Sequence, residues 1–339
     1  MMSTKLKGLV VGCTALAAGS LTATPAAAAS VAEHPMATSA AEQQAVRDYW
    51  TPERIAALTE PSSDNPPKAG PDGAPWTIRN ALPTTVGRLF FTDHGTDASC
   101  TATVVEAGNR STIVTAGHCV NATDLLGEDN QWTRNVLFIP GYHDGQEPYG
   151  RFTGRIGFVD ETWLDNDQQH GEIYGAYDQA TVVLNPNERG QRAQDAIGAA
   201  QRIGFDEPGE GTATSFGYPR ASSDPARDGL PEYIGERLAY CQGPAKEYLG
   251  TPENPAAPGQ WGPSCVMGGG SSGGPRFSEL SAETGIGTVV GANTQSGSFD
   301  SAGNPCPSGE QEECTRHLVG PQFTTEITEP LHQSAEKAW

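Results

Sequence analysis

The chain predicts an all-β protein, and three observations carry that prediction. Short β-branched runs recur along it, each bounded by Gly, Pro, Asn or Asp, which is the pattern of an antiparallel sandwich or barrel. Its 41 Gly and 26 Pro suit a loop-rich β fold better than a helical one. The runs also fall into two groups, with a divide near Asn185 to Gln201. A length of 339 residues accommodates one large domain or two moderate ones.

The elements follow in order. Residues 1–29 carry Lys5 and Lys7, an apolar stretch from Leu9 to Leu21, and small residues at Ala27-Ala28-Ala29, the pattern of a secretory signal peptide. The stretch is too short for a membrane span. Val10-Val11-Gly12-Cys13 faintly resembles a lipoprotein box, but almost no apolar run precedes its cysteine. Secretion is therefore expected. From 30 to about 80 the sequence is Ala-rich, then Pro-rich and polar, and reads as a pro-segment or linker; a disordered extension is the plain alternative. One short helix is expected between Ala40 and Leu58, where Val46, Tyr49, Trp50 and Ile55 recur at roughly helical spacing. Trp50 and Trp76 either pack on the mature domain or anchor the linker at its surface.

Strand signals then occupy 86–91, 100–105, 111–115, 135–139 and 180–184, the last stopped by Asn185-Pro186. The second group holds 211–216, 287–291 and 318–323. Residues 324–339 predict a C-terminal helix, broken or kinked at Pro330. No repeat of fixed period is present. A net charge of −20 argues against nucleic acid, which needs clustered Lys and Arg, and otherwise speaks mainly to solubility.

Signal removal takes Cys13 and leaves six cysteines, an even number that in an exported chain implies disulfides. Sequence proximity suggests Cys100–Cys119, Cys241–Cys265 and Cys306–Cys314. The first would clamp a histidine turn, the second would anchor the loop before Ser272, and the third would pin a loop. No Cys-x-x-Cys pair supports a structural zinc site.

The chemistry lies in Gly270-Ser271-Ser272-Gly273-Gly274-Pro275 and Thr115-Ala116-Gly117-His118-Cys119. A serine hydroxyl becomes a useful nucleophile only when an imidazole takes its proton and backbone amides hold the oxyanion. Ser272 is preferred over Ser271 because it directly precedes two glycines, and the N–H groups of Gly270 and Ser272 would converge on one oxygen. Among the histidines, His118 alone follows a core-like strand inside a cysteine-bounded turn; His34, His94, His143, His170, His317 and His332 do not. For the carboxylate that orients the base, Asp178 stands at a strand start, while Asp165 and Asp167 sit in a polar loop. Taken singly, the glycine run reads as a linker, His118 as a core residue and Asp178 as a strand cap; their joint order points to catalysis. Asp165, Asp167 and Glu172 have the donor type for Ca²⁺, but a solvated acidic loop accounts for them as well, and no cofactor is expected.

These motifs, in the order His, Asp, Ser, resemble the chymotrypsin/trypsin-like serine peptidases over roughly the last three quarters of the chain. Gly87-Arg88-Leu89-Phe90-Phe91, and Ile139-Pro140-Gly141-Tyr142 with Pro148-Tyr149-Gly150, resemble the bacterial secreted branch near the glutamyl endopeptidases. The resemblance implies two antiparallel six-stranded β-barrels, one at about 84–190 and one at about 198–323, followed by a helix, in a peptidase domain over 81–339. It implies Ser272 as nucleophile, His118 as base, Asp178 as its orienting carboxylate, and Gly270 and Ser272 as oxyanion donors.

Departures from the pattern inform the substrate side. Ser271 stands where the animal digestive members carry the Asp that pairs with a new N-terminus. Val266 and Met267 stand where trypsin-like members carry an acid, so cleavage after Arg or Lys is not supported. Asn293 lies nearest the position of the pocket histidine of glutamyl endopeptidases, with Thr294 beside it. The expectation is a monomeric, zymogen-derived secreted serine endopeptidase acting on extracellular proteins or peptides. A catalytically silent binding protein on the same scaffold and an esterase-like hydrolase are the alternatives.

Overall fold

The computed structural model describes residues 1–2, 30–66, 70–76, 83–123, 129–165, 171–306 and 314–339. The signal-peptide segment from residue 3 onward, Cys13, Asp167 and His170 lie outside the described residues. Among those described, no helix is long and apolar enough to cross a membrane.

The region read as linker is folded. It forms β1 (Val31–Pro35), α1 (Ala40–Tyr49), α2 (Pro52–Ala56) and β2 (Asp72–Pro75). Ser39 and Glu42 cap α1 reciprocally, and Pro52 opens α2 at a position where a missing N–H costs nothing, so the expected single helix is two. The composition misled because the segment docks through a few large side chains. Trp50 and Ile55 are buried in the same cluster as Val86, Phe90 and Ile139.

The first barrel consists of β3 (Val86–Asp93), β4 (Thr96–Val105), β5 (Thr112–Thr115), the small hairpin β6 (Asn121–Thr123) and β7 (Asn130–Trp132), β8 (Arg134–Pro140), β9 (Phe152–Asp160), the turn α3 (Gly171–Tyr174) and β10 (Ala180–Leu184). Six of these strands run antiparallel in the order β9-β10-β5-β4-β3-β8, and β8 pairs back onto β9 at Leu137–Thr153 and Phe138–Phe152 to close the ring. All of β10 is buried, which explains its nearly continuous apolar sequence, and the hydroxyl of Thr181 is satisfied by Leu331 O at 3.1 Å. Ala180, Val182 and Leu184 face the barrel interior, and Val183 faces outward under a helix.

The second barrel follows α4 (Ala193–Ile197). Its elements are β11 (Arg202–Ile203), β12 (Gly211–Gly217), β13 (Ala239–Glu247), the hairpin β14 (Gly250–Thr251) and β15 (Asn254–Pro255), β16 (Gln260–Gly262), β17 (Pro275–Leu280), β18 (Gly287–Ala292), β19 (Gln295–Phe299) and β20 (Thr315–Pro321). The ladder runs β18-β17-β12-β13-β16-β20, and a bridge between Gly291 and Gln322 brings its ends together. The fold is thus all-β, a closed six-stranded barrel beside a second sheet, as its two strand groups suggested. Strand β13 escaped the sequence because its outward face carries Gln242, Pro244 and Lys246 and Gly243 interrupts its buried side.

Helix α5 (Thr328–Lys337) ends the chain and packs Leu331 and Ala335 on Phe158 and Val183 of the first barrel. The expected break at Pro330 does not occur. Pro330 is the third residue of α5, in the turn whose N–H groups have no helical acceptor. Between the barrels, Phe216, Tyr218, Phe277 and Val289 of the second share one apolar cluster with Val86, Leu137 and Tyr142 of the first.

Candidate active site

His118 lies in a one-turn 3-10 helix, Gly117–Cys119, directly after β5. The Cys100–Cys119 disulfide ties this turn to β4, while Cys241–Cys265 and Cys306–Cys314 lie in the second barrel. Asp178 follows a similar turn, Gly175–Tyr177, and leads into β10, which pairs with β5. The pairing of β5 with β10 therefore sets the two side chains against each other. The His118 Nδ1 lies 2.9 Å from Asp178 Oδ2 and 3.1 Å from Oδ1, and the His118 backbone N–H donates to Oδ1 at 2.9 Å. One carboxylate thus holds both the ring and the main chain of the histidine, with Nδ1 as the protonated nitrogen and Nε2 free to accept.

Burial of the His118 ring opposes its charged form. The Asp178 charge and hydrogen bond, with a smaller contribution from Asp93, outweigh that and hold its pKa above the ordinary 6.5. The side chain remains 34% exposed, so it is reachable from the cleft.

Ser272 sits in the turn before β17, on the other barrel, and its neighbours are restrained from both sides. Thr101 of β4 donates its N–H to the Ser272 carbonyl at 2.7 Å and its hydroxyl to the Gly270 carbonyl at 2.9 Å, and the same hydroxyl accepts the Tyr218 N–H at 2.9 Å. Asn293, at the end of β18, donates Nδ2 to Phe216 O at 2.9 Å and more weakly to Ser271 O at 3.4 Å, and its carbonyl accepts the Gly273 N–H at 2.7 Å. The Ser271 hydroxyl donates to the Gly268 carbonyl, which closes the turn on itself. Among the described residues no carbonyl accepts the N–H of Gly270 or Ser272, as two oxyanion donors require.

Two glycines make this turn possible. Gly270 has φ +95°, and a Cβ there would lie 2.4 Å from Tyr218 O. Gly273 has φ +74°, and a Cβ there would lie 2.8 Å from Ala116 N, two residues from His118. The turn carrying Ser272 therefore abuts the turn carrying His118.

The expected pocket residues divide. Asn293 is 1% exposed and its amide N–H is committed to the main chain, so it braces the serine turn instead of facing a ligand. Met267 is fully buried in a cluster with Cys241, Cys265 and Leu318. Val266 and Thr294 are half-buried; the Val266 N–H goes to Asp72 Oδ1 at 2.9 Å and the Thr294 N–H to Val319 O at 2.9 Å. Thr101 and Arg316 were not anticipated, since neither belongs to a motif. The Arg316 Nη1 donates to Met267 O at 2.8 Å and to Ser223 Oγ at 3.4 Å, and its other nitrogen bonds Ser296 Oγ. Burial lowers its pKa, which Tyr233 and Asp72 partly offset, and among the described residues no carboxylate lies within ion-pair distance of it.

The other described histidines lie elsewhere: His34 stacks on Trp132, His94 pairs with Asp93, His143 bonds Gly141 O, His317 is buried against Gly262 O, and His332 is on α5. Among the described residues the ligand-like clusters are Cys100, His118, Cys119 and Asp72, Cys241, Cys265. All their cysteines are in disulfides and offer no thiolate, so neither set suits a metal ion. Asp165 and Glu172 belong to no such cluster.

No protein-family model matches the chain. An extracellular metalloprotease of Bacillus subtilis (strain 168) is 29% identical over 86 residues, 25% of this chain, and the match spans only 23% of that protein. Solved structures match more broadly. The thermostable serine protease AL20 from an extremophilic microorganism is 26% identical with a TM-score of 0.56, over 76% of this chain and 98% of that one. The protease Anisep from Arthrobacter nicotinovorans is 28% identical with a TM-score of 0.57, over 75% of this chain and 96% of that one. The chain therefore has the chymotrypsin-like fold of these serine proteases, with the turns that carry His118 and Ser272 meeting between its two barrels.

Proposed function

We propose that the chain is a secreted serine endopeptidase that cleaves peptide bonds through an acyl-enzyme. The observation that carries this reading is the His118–Asp178 pair on one barrel, set against the glycine turn of Ser272 on the other. In this reading Ser272 Oγ attacks the scissile carbonyl while His118 Nε2 takes its proton. Asp178 holds the ring and stabilises the imidazolium. The N–H groups of Gly270 and Ser272 bind the oxyanion. His118 then returns the proton to the leaving amine, and a water molecule activated the same way releases the acid. Three disulfides and the likeness to an extracellular protease support an exported enzyme.

On the substrate side, Arg316 places a guanidinium that has no carboxylate partner among the described residues against the carbonyl of Met267, five residues before Ser272. A cation there favours an acidic side chain at the cleaved bond and disfavours Arg or Lys. The catalytic reading is tested with a fluorophosphonate probe. Wild type is expected to label and Ser272→Ala to stay dark; equal labelling of both would place the nucleophile elsewhere, and no labelling of wild type would leave a silent scaffold.

A further inference from the structure

Residues 31–66 belong to the stretch from 30 to about 80 that reads from sequence as a pro-segment or linker, yet they lie across both barrels as a fitted element. On the first barrel β1 pairs with β9 from Val31–Asp160 to Pro35–Ile156, and the ladder continues through Met36 N–H to Arg155 O and Ala37 N–H to Gly154 O. The groove is shaped for this strand. A Cβ on Gly154 would lie 2.7 Å from Met36 Sδ, and one on Gly157 2.6 Å from Met36 Cε. Asn185 Nδ2 donates to Ala37 O at 2.8 Å. Trp50 is completely buried against Phe90, its indole N–H bonds Asn135 O, and its own carbonyl accepts from Arg151 at 2.6 Å.

Further along, the segment supplies partners to buried charge. Arg88, fully buried on β3, donates to Leu58 O at 2.8 Å. Its counter-ion Glu236, 3.7 Å away, also accepts the Thr59 hydroxyl at 2.6 Å. Glu60 faces Arg220 at 3.5 Å, and the Arg220 N–H bonds Gly269 O, three residues before Ser272. Ser63 then bonds Gly229 O and Asp228 O on the second barrel. Losing the segment would leave an apolar trough and a buried guanidinium short of an acceptor, and both are costly in water.

We propose that this groove across the two barrels is a peptide-binding surface whose permanent occupant is residues 31–66. When the connection between them and the barrels is cut, they stay bound as a second polypeptide. The segment is an integral part of the folded protein, and maturation by cleavage downstream of it would yield a two-chain molecule.

The test replaces residues 67–69 by a site for a sequence-specific protease, in the Ser272→Ala background, so no readout depends on catalysis and a failure of the peptidase reading leaves this one standing. After cutting, gel filtration in native buffer is expected to give one peak containing both pieces by mass spectrometry, separable only in denaturant. Elution of the short piece by itself in native buffer would overturn the proposal. Trp50→Ala should weaken retention roughly 100-fold or more, because it removes the largest side chain that the segment buries completely; unchanged retention would refute the groove as the binding surface. Hydrogen exchange on the uncut Ser272→Ala protein gives an independent readout. The amides of β1 and Trp50 are expected to be protected as long as those of β9, and exchange at the rate of a loose extension would sink the idea.

Discussion

Thr101, on the barrel that bears the histidine, reaches across to Ser272 and donates its backbone N–H to the serine carbonyl at 2.7 Å. Its hydroxyl holds the Gly270 carbonyl, so one residue restrains the carbonyls of both residues whose N–H groups are proposed to bind the oxyanion. Thr101→Val keeps the shape and removes only the hydroxyl. It is expected to lower kcat by about 10–100-fold, with a small change in KM, as buried Gly270 O and Tyr218 N–H lose their partner. Steady-state kinetics beside a thermal melt separate this from simple unfolding.

Removing Ser272 or His118 is expected to cost on the order of 10⁴–10⁶ in kcat, and the double variant Ser272→Ala/His118→Ala should be little worse than either alone. Additive losses would argue that the two side chains do not act as a unit.

The acid side of the pH–rate profile should lie above 6.5, because His118 must be neutral to act as base and Asp178 raises its pKa. Stability runs the other way. A histidine pKa raised on folding contributes stability that is fully present below the unfolded value and lost as pH rises through the folded one. Asp178→Asn should therefore move the acid limb to lower pH and cut kcat by about 10⁴. A rate profile and a melting series on the same samples, with and without that change, check both signs.

Arg316→Gln should abolish discrimination between peptides with Glu and Leu at the cleaved bond, by on the order of 100-fold, while Ser272 labelling by a small phosphonate stays normal. Profiling a peptide library with both proteins measures this. A wild-type preference for Lys or Arg would contradict the placement of that cation.

Opening the Cys100–Cys119 bridge, as Cys100→Ala/Cys119→Ala, should cost about 3 kcal/mol for a loop of 19 residues. Urea unfolding gives the value. The loss of activity should exceed the loss of folded protein, because Cys119 is the neighbour of His118.

The site was more legible than the body around it. Ser272, His118 and Asp178 stood out because chemistry demands those side chains in small-residue turns beside strands, and the structure sets His118 on Asp178 and the two turns together. Thr101 was hidden because its role arises from one barrel meeting the other, a relation no local pattern encodes. Asn293 was mistaken for a pocket residue because its position was visible and its side-chain direction was not. The N-terminal segment misled for another reason: helical and strand signals rest on many apolar residues at regular spacing, and this stretch docks through a few, Met36, Trp50 and Ile55, and through main-chain bonds. Pro330 shows the same limit, since a breaker in a first turn breaks nothing.

Each of the three disulfides begins and ends within one barrel, so among the described residues no covalent cross-bridge spans the cleft. The distance between His118 and Ser272 is therefore maintained by weak forces alone, while each half is separately riveted. Heat or cosolvent should accordingly misalign the halves before either melts, and activity should fade several degrees below the temperature at which the fold is lost.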